Sequence, residues 1–173
     1  NTAGLSGQDI SSLPLETCQT MNGMWGYKIT DQNYKSTKEL SQYLVGAAVK
    51  DANLLMNSGP QPDGELPEVA VQRLAEMGEW MKVYGETIYG TRGGCVGPHP
   101  WGGTTQKGNK LYVHILNLQD KALFLPLVDK KVKKASYFVD GKPVKFQKNQ
   151  AGYTLLLNEV PTDIDTVIEL ELN

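Results

Sequence analysis

The segment Asn53-Leu54-Leu55-Met56-Asn57-Ser58-Gly59-Pro60-Gln61-Pro62-Asp63-Gly64 constrains the fold of this chain more than any other. A short apolar run breaks off into Asn, Gly, Pro and Asp-Gly, and a helical pattern resumes at once. That order reads as a buried strand that stops at a shaped loop and returns through a helix. In α/β barrels, this edge of the sheet is where substrates bind.

The flanking patterns extend this reading. Glu16 to Met21 reads as a short strand leading into an Asn22-Gly23 turn, and residues 1–14 read as loop. Ser36-Thr37-Lys38-Glu39 has the form of a capping box, in which the Ser hydroxyl and the Glu carboxylate satisfy two helix N–H groups reciprocally. Leu40, Tyr43, Leu44, Ala47 and Ala48 then recur at helical spacing up to about Asp51, and a strand over Leu54–Met56 follows. Pro67 suits the first turn of a second helix. Ala70, Leu74, Met77, Met81 and Tyr84 form its apolar stripe, with Gly85 as the expected C-cap. A βαβα series implies a parallel sheet. Two strands cannot close a barrel, so the expected fold for residues 1–90 is the last part of a (β/α)8-like barrel.

Beyond the Gly-rich stretch Gly90-Thr91-Arg92-Gly93-Gly94 the helical period disappears. Leu111, Val113 and Ile115 alternate within Lys110–Leu116. Ala122–Val128 is apolar but holds Pro126, which fits an edge strand or a bulge. Ala135–Val139, an Asp140-Gly141 turn and Pro143–Gln147 read as a hairpin, followed by strands at Tyr153–Leu157 and Thr166–Leu172. Short strands at this spacing predict an antiparallel β-sandwich over residues 91–173.

Composition bounds the function classes. The balance of 40% hydrophobic and 21% charged residues, with net charge −2, is that of an ordinary globular chain and offers nothing to nucleic acid. Lys130-Lys131-Val132-Lys133-Lys134 is the one dense basic run, and it reads as a guarded strand edge. No apolar run approaches the ~18 residues of a membrane span. No signal peptide opens the sequence, and the Asn1-Thr2-Ala3 start suggests a processed chain or a piece of a longer one. Cys18 and Cys95 lie far apart, match no metal spacing and are expected as free thiols.

The run Leu15-Glu16-Thr17-Cys18-Gln19-Thr20-Met21-Asn22-Gly23-Met24-Trp25-Gly26-Tyr27 resembles the late barrel segment of the α-L-fucosidases of glycoside hydrolase family 29. The series after it matches in order: Asn53 to Pro60 with Asp63-Gly64, then Arg73, Leu74 and Gly78-Glu79-Trp80, then Gly85-Glu86-Thr87-Ile88-Tyr89-Gly90-Thr91. One departure is Ser58, where the family usually carries an aliphatic residue. The resemblance implies retaining exo-hydrolysis of terminal α-L-fucosyl linkages by two carboxyl groups about 5–5.5 Å apart, without metal or organic cofactor. It also implies that the nucleophilic Asp lies on an earlier barrel strand, outside the motifs present here. The expected partners are a fucosylated glycan or small fucoside and the N-terminal barrel portion of the same enzyme. Apolar faces meant for that portion would otherwise drive self-association, so a homo-oligomer is a possible form. The family is typically secreted, periplasmic or lysosomal.

On the same footing, Trp25 matches the position whose aromatic ring contacts the sugar near its C6 methyl group. Glu16 is the glutamate nearest the expected acid/base region, and it is carried as the catalytic candidate against a purely structural role. Asp9 is a weaker candidate of the same kind. Asn57 is carried as a substrate-binding candidate, although with Gly59 it also suits a loop-shaping role. Asp63-Gly64 reads most simply as a turn. His99, His114 and Trp101 read as structural, and nucleophilic triads, phosphate loops and zinc spacings are missing. The competing reading is a non-catalytic carbohydrate-binding or structural module in residues 91–173. It would call for aromatics in a row on one sheet face, whereas Tyr112, Phe124, Tyr137, Phe138, Phe146 and Tyr153 are scattered.

Overall fold

The computed structural model describes residues 13–173. Asp9 and most of the expected N-terminal loop therefore lie outside the described residues. The chain begins with β1 (Leu15–Thr20), α1 (Thr37–Val49), β2 (Ala52–Asn57) and α2 (Glu68–Tyr84), ending in a 3-10 turn over Gly85–Thr87. β1 and β2 pair in parallel, Leu15 opposite Ala52 through Thr20 opposite Asn57. This is the βαβα series that the patterning predicts.

The capping box is present: the Ser36 hydroxyl accepts from Glu39 N–H at 3.2 Å, and the Glu39 carboxylate accepts from Ser36 N–H at 2.8 Å. Pro67 is the N-cap of α2, one position earlier than a first-turn proline. Gly85 continues in right-handed helical conformation at φ −55°, because the chain tightens into the 3-10 turn and does not need a left-handed stop. Met56 packs with Met21, Leu40, Ala70 and Met77 between the sheet and the helices. By alternation, Glu16, Cys18, Thr20, Asn53, Leu55 and Asn57 share the opposite face of the sheet. Leu55 there is half exposed.

Antiparallel strands follow: β3 (Arg92–Gly93), β4 (Gly102–Lys107), β5 (Lys110–Ile115), β6 (Ala122–Leu125), β7 (Val132–Tyr137), β8 (Lys145–Asn149), β9 (Gly152–Leu156) and β10 (Thr166–Leu172). They form a five-stranded sheet, β3-β4-β5-β10-β7, and a three-stranded sheet, β6-β9-β8. Leu111, Val113 and Ile115 of β5 meet Leu123, Leu125, Tyr153 and Leu155 in the core between the sheets. The basic run falls on β7, an edge strand.

The expected hairpin is corrected. Ser136 bridges Pro143 and Gly141 takes φ +68°, so the turn itself forms. The chain then crosses over: β7 belongs to the five-stranded sheet and β8 to the other. The buried stripe of α1 is also broader than the periodicity suggests, with Ser41, Val45 and Val49 buried. The cause is the second layer behind α1. A Cβ on Gly103 of β4 would come within 2.4 Å of Val49, and Gln42 donates to the carbonyls of Leu116 at 3.2 Å and Ile164 at 3.0 Å. The helices thus cover the outer face of the five-stranded sheet, where Tyr112 and His114 are fully buried.

Candidate functional site

Parallel strands in a βα layer deliver their loops to one edge, and here that edge carries Met21–Lys35 after β1 and Ser58–Pro67 after β2. Where the ladder ends, Met21 N–H still donates to Asn57 O at 3.0 Å. The Thr20 hydroxyl donates to Met24 O at 2.8 Å. The Asn57 carboxamide donates to Trp25 O at 2.7 Å and to the Thr20 hydroxyl at 3.4 Å. Gly59 lies directly under the Trp25 loop, and an added Cβ would sit 2.4 Å from both Gly26 C and Tyr27 N. Trp25 is thereby fixed through its backbone while its side chain remains 53% exposed.

This assigns Asn57 a definite contact: its carboxamide holds the backbone of Trp25 on the loop and also reaches the Thr20 hydroxyl at the end of β1. Asp63 accepts from Glu65 N–H at 3.1 Å and Gly64 has φ +88°, the arrangement of a tight turn. In the same region, the Tyr34 hydroxyl is pushed above its ordinary range by burial, with the nearby Asp31 charge adding to it.

Glu16 is not brought to this edge. It is the second residue of β1, opposite Asn53, so four residue steps of strand separate it from Thr20, about 13 Å at ~3.3 Å per residue. Its side chain is exposed beside a groove of about 480 Å³ that also involves Asp51 and Arg92, themselves paired at 2.6 Å. The physical reason is strand direction. A residue type suited to acid/base work sits at the N-terminal end of its strand, away from the loops that carry Trp25.

His114 sits in a hydroxyl–imidazole–carboxylate series that patterning missed. Its Nδ1 is 2.6 Å from Asp165 Oδ2 and its Nε2 is 3.0 Å from Thr105 Oγ1. The Thr105 hydroxyl spends its single hydrogen on Thr87 O at 2.6 Å, so it accepts from His114 Nε2–H. The Thr105, His114 and Asp165 side chains are fully buried, and the hydroxyl points its hydrogen away from the ring. This is a tie between the five-stranded sheet and the turn after α2, with no access for a substrate. His99, an exposed residue, stacks on Trp101 with ring centroids 5.4 Å apart and planes within 9°. Cys18 and Cys95 are free thiols, and no metal-holding cluster is present among the described residues.

A family model described as α-L-fucosidase matches residues 4–86. The plasma α-L-fucosidase of Rattus norvegicus is 37% identical over 112 residues, which is 60% of this chain and 24% of that protein. Among solved structures, α-L-fucosidase isoenzyme 1 from Paenibacillus thiaminolyticus superposes with a TM-score of 0.83 at 37% identity, covering 93% of this chain and 40% of that one. An α-L-fucosidase from a Vibrio strain superposes at 0.84 with 26% identity, covering 95% of this chain and 30% of that one. The chain spans about a quarter of the length of such curated relatives.

Proposed function

We propose that this chain, which corresponds in sequence and fold to the C-terminal portion of an α-L-fucosidase of glycoside hydrolase family 29, supplies one wall of the fucose pocket of a retaining exo-fucosidase. The observation that carries this reading is the half-exposed Trp25 ring on a loop pinned at the C-terminal edge of two parallel strands. An aromatic face matches the apolar side of a 6-deoxy sugar, where a CH-rich surface has no hydrogen bonds to satisfy. The indole lies against that side and excludes water from it, while Asn57 and Gly59 hold the loop from beneath.

The two carboxyl groups of the retaining reaction are assigned to the barrel portion outside this chain. One attacks the anomeric carbon. The other protonates the leaving oxygen and then removes a proton from the water that releases fucose. Glu16 receives no part in that chemistry, because it lies at the wrong end of β1. The bare face of the two-stranded sheet, with Leu55 half exposed, and the exposed Val71 and Leu74 on α2 fit closure by that missing portion. The substrate class is a terminal α-L-fucoside of a glycan or small aglycone, and a secreted setting is in keeping with the relatives named as plasma α-L-fucosidases.

The test is hydrolysis of an aryl α-L-fucoside by the 173-residue chain alone, by the intact enzyme, and by the intact enzyme carrying Trp25→Ala. The expected outcome is no turnover by the chain alone. In the intact enzyme, Trp25→Ala should raise KM by about tenfold, equivalent to roughly 1.4 kcal/mol of lost ring contact. Turnover by the chain alone that disappears with Glu16→Gln would relocate the chemistry to this chain and overturn the assignment.

A further inference from the structure

We infer that Lys35 is a positioning residue whose ammonium pins the Trp25 loop to the end of β1; the consequence for sugar binding rests on the reading of Trp25 given above. The chain leaves the ladder after Thr20, and three successive carbonyls, those of Thr20, Met21 and Asn22, face the region where α1 begins. Lys35 takes all three. Its Nζ donates to Thr20 O at 2.7 Å and to Asn22 O at 3.2 Å, and its backbone N–H donates to Met21 O at 2.8 Å.

Lys35 is itself held from the far side. Arg73 Nε on α2 donates to Lys35 O at 3.2 Å, and the same guanidinium pairs with Glu76 at 3.1 Å. Glu76 also accepts from Thr37 and Gln72, bonds that hold its carboxyl below the usual carboxylate range. A line of contacts thus runs from α2 through Arg73 and Lys35 to the backbone of Asn22, three positions before Trp25.

An ammonium is a strong choice for this task. Bonds from a charged donor to a carbonyl are shorter and roughly twice as strong as neutral ones. No ion pair to Lys35 occurs among the described residues, so the charge serves the strand end and not a carboxylate. Without it, Thr20 O and Asn22 O lose their charged partner. The loop up to Trp25 then relies on the Thr20 hydroxyl, Asn57, the packing on Gly59 and the Lys35 backbone N–H, which keeps its bond to Met21 O.

The experiment uses the chain labelled with 5-fluorotryptophan, whose three tryptophans give three fluorine signals. Trp25→Phe assigns the Trp25 signal, and Trp80 and Trp101 report on the rest of the fold. Lys35→Met should shift or broaden the Trp25 signal and leave the other two in place. Lys35→Arg, which keeps charged donors, should restore most of it. In the intact enzyme, Lys35→Met should raise KM for an aryl fucoside by about tenfold, and Lys35→Arg by less; a small displacement of a binding group can cost up to ~100-fold.

An unmoved Trp25 signal in Lys35→Met overturns the proposal. A moved signal with an unchanged KM supports the tether and refutes Trp25 as a sugar contact. If Lys35→Met disturbs all three signals, Lys35→Gln decides: a Trp25 change confined to that signal supports the tether, and no change overturns it.

Discussion

Gly59→Ala probes the contact on which the site's geometry depends. The added methyl would lie 2.4 Å from Gly26 C, 2.4 Å from Tyr27 N and 2.9 Å from Gly26 Cα. Carbon atoms pack best at about 3.5–4.0 Å, so the two loops must separate by about 1 Å. All three atoms are backbone, and no side chain can rotate away. Gly59 has no left-handed φ, so the alanine carries no conformational strain of its own. On entropy alone the substitution should stabilise by ~0.4–1 kcal/mol through the unfolded state. Overpacking costs ~1–3 kcal/mol. The clash wins, and we expect a net loss of about 1–2 kcal/mol in urea unfolding of the chain. Gly26→Ala alters the other side of the same contact, but its Cβ meets nothing within 4 Å. It should be neutral or slightly stabilising. Equal effects of the two substitutions, or a gain from Gly59→Ala, would refute the reasoning.

Three further outcomes follow from the contacts around α1 and the sandwich. His114→Leu should lower stability by roughly 3–5 kcal/mol, because it leaves the fully buried Asp165 carboxylate without its imidazole; a loss below about 1 kcal/mol in equilibrium unfolding would contradict the role of the tie. Ser36→Ala should cost about 1 kcal/mol as a lost N-cap. The Glu39 carboxyl is held below its ordinary 4.5 first by the Ser36 backbone N–H and then by the Ser36 hydroxyl. Its stabilisation is therefore complete above about 4.5 and is lost as pH falls through the lower folded value. The stability difference between the wild type and Glu39→Gln should shrink on acidification, and one that grows in acid would reverse the assignment.

Legibility followed the range of the interaction. Ser36 and Glu39 are three residues apart, and the capping box is written in that spacing. Leu111, Val113 and Ile115 alternate because one sheet face meets the other sheet. Tyr112 and His114 break the same logic, since helices cover the opposite face as well, and no pattern within β5 records that. The crossover after Gly141 was hidden for a similar reason: a good turn predicts adjacency, but whether the second strand stays in the sheet depends on β9 and β10. At the strand ends, the loop-shaping role of Gly59 was readable from residue type. The function of Asn57 was not, because its partner is a main-chain carbonyl 32 residues away. Lys35 gave no signal at all, as a lysine before a helix usually points to solvent. Glu16 shows the converse limit: residue type nominates a carboxylate, but the strand direction that places it at the N-terminal end of β1 is not written in that residue.

The distribution of contacts also separates two properties that are usually built together in an active site. Every tie described on the Trp25 loop comes from within this chain: Thr20 and Asn57 from the strands, Gly59 from the neighbouring loop, and Lys35 backed by Arg73 from α2. The sheet face beside Leu55, by contrast, is left uncovered among the described residues, while α1 and α2 pack on the other face. The local order of the Trp25 loop is therefore held by contacts within the chain, while one face of the layer that presents it stays open. On the proposed function, the aromatic wall would lie on one part of the enzyme and the reacting carboxylates on the other. On that proposal, loss of packing between the two parts should lower kcat before it disturbs the indole, whereas loss of the Lys35 or Asn57 contacts should act first on KM, a split that steady-state kinetics of the intact enzyme would read.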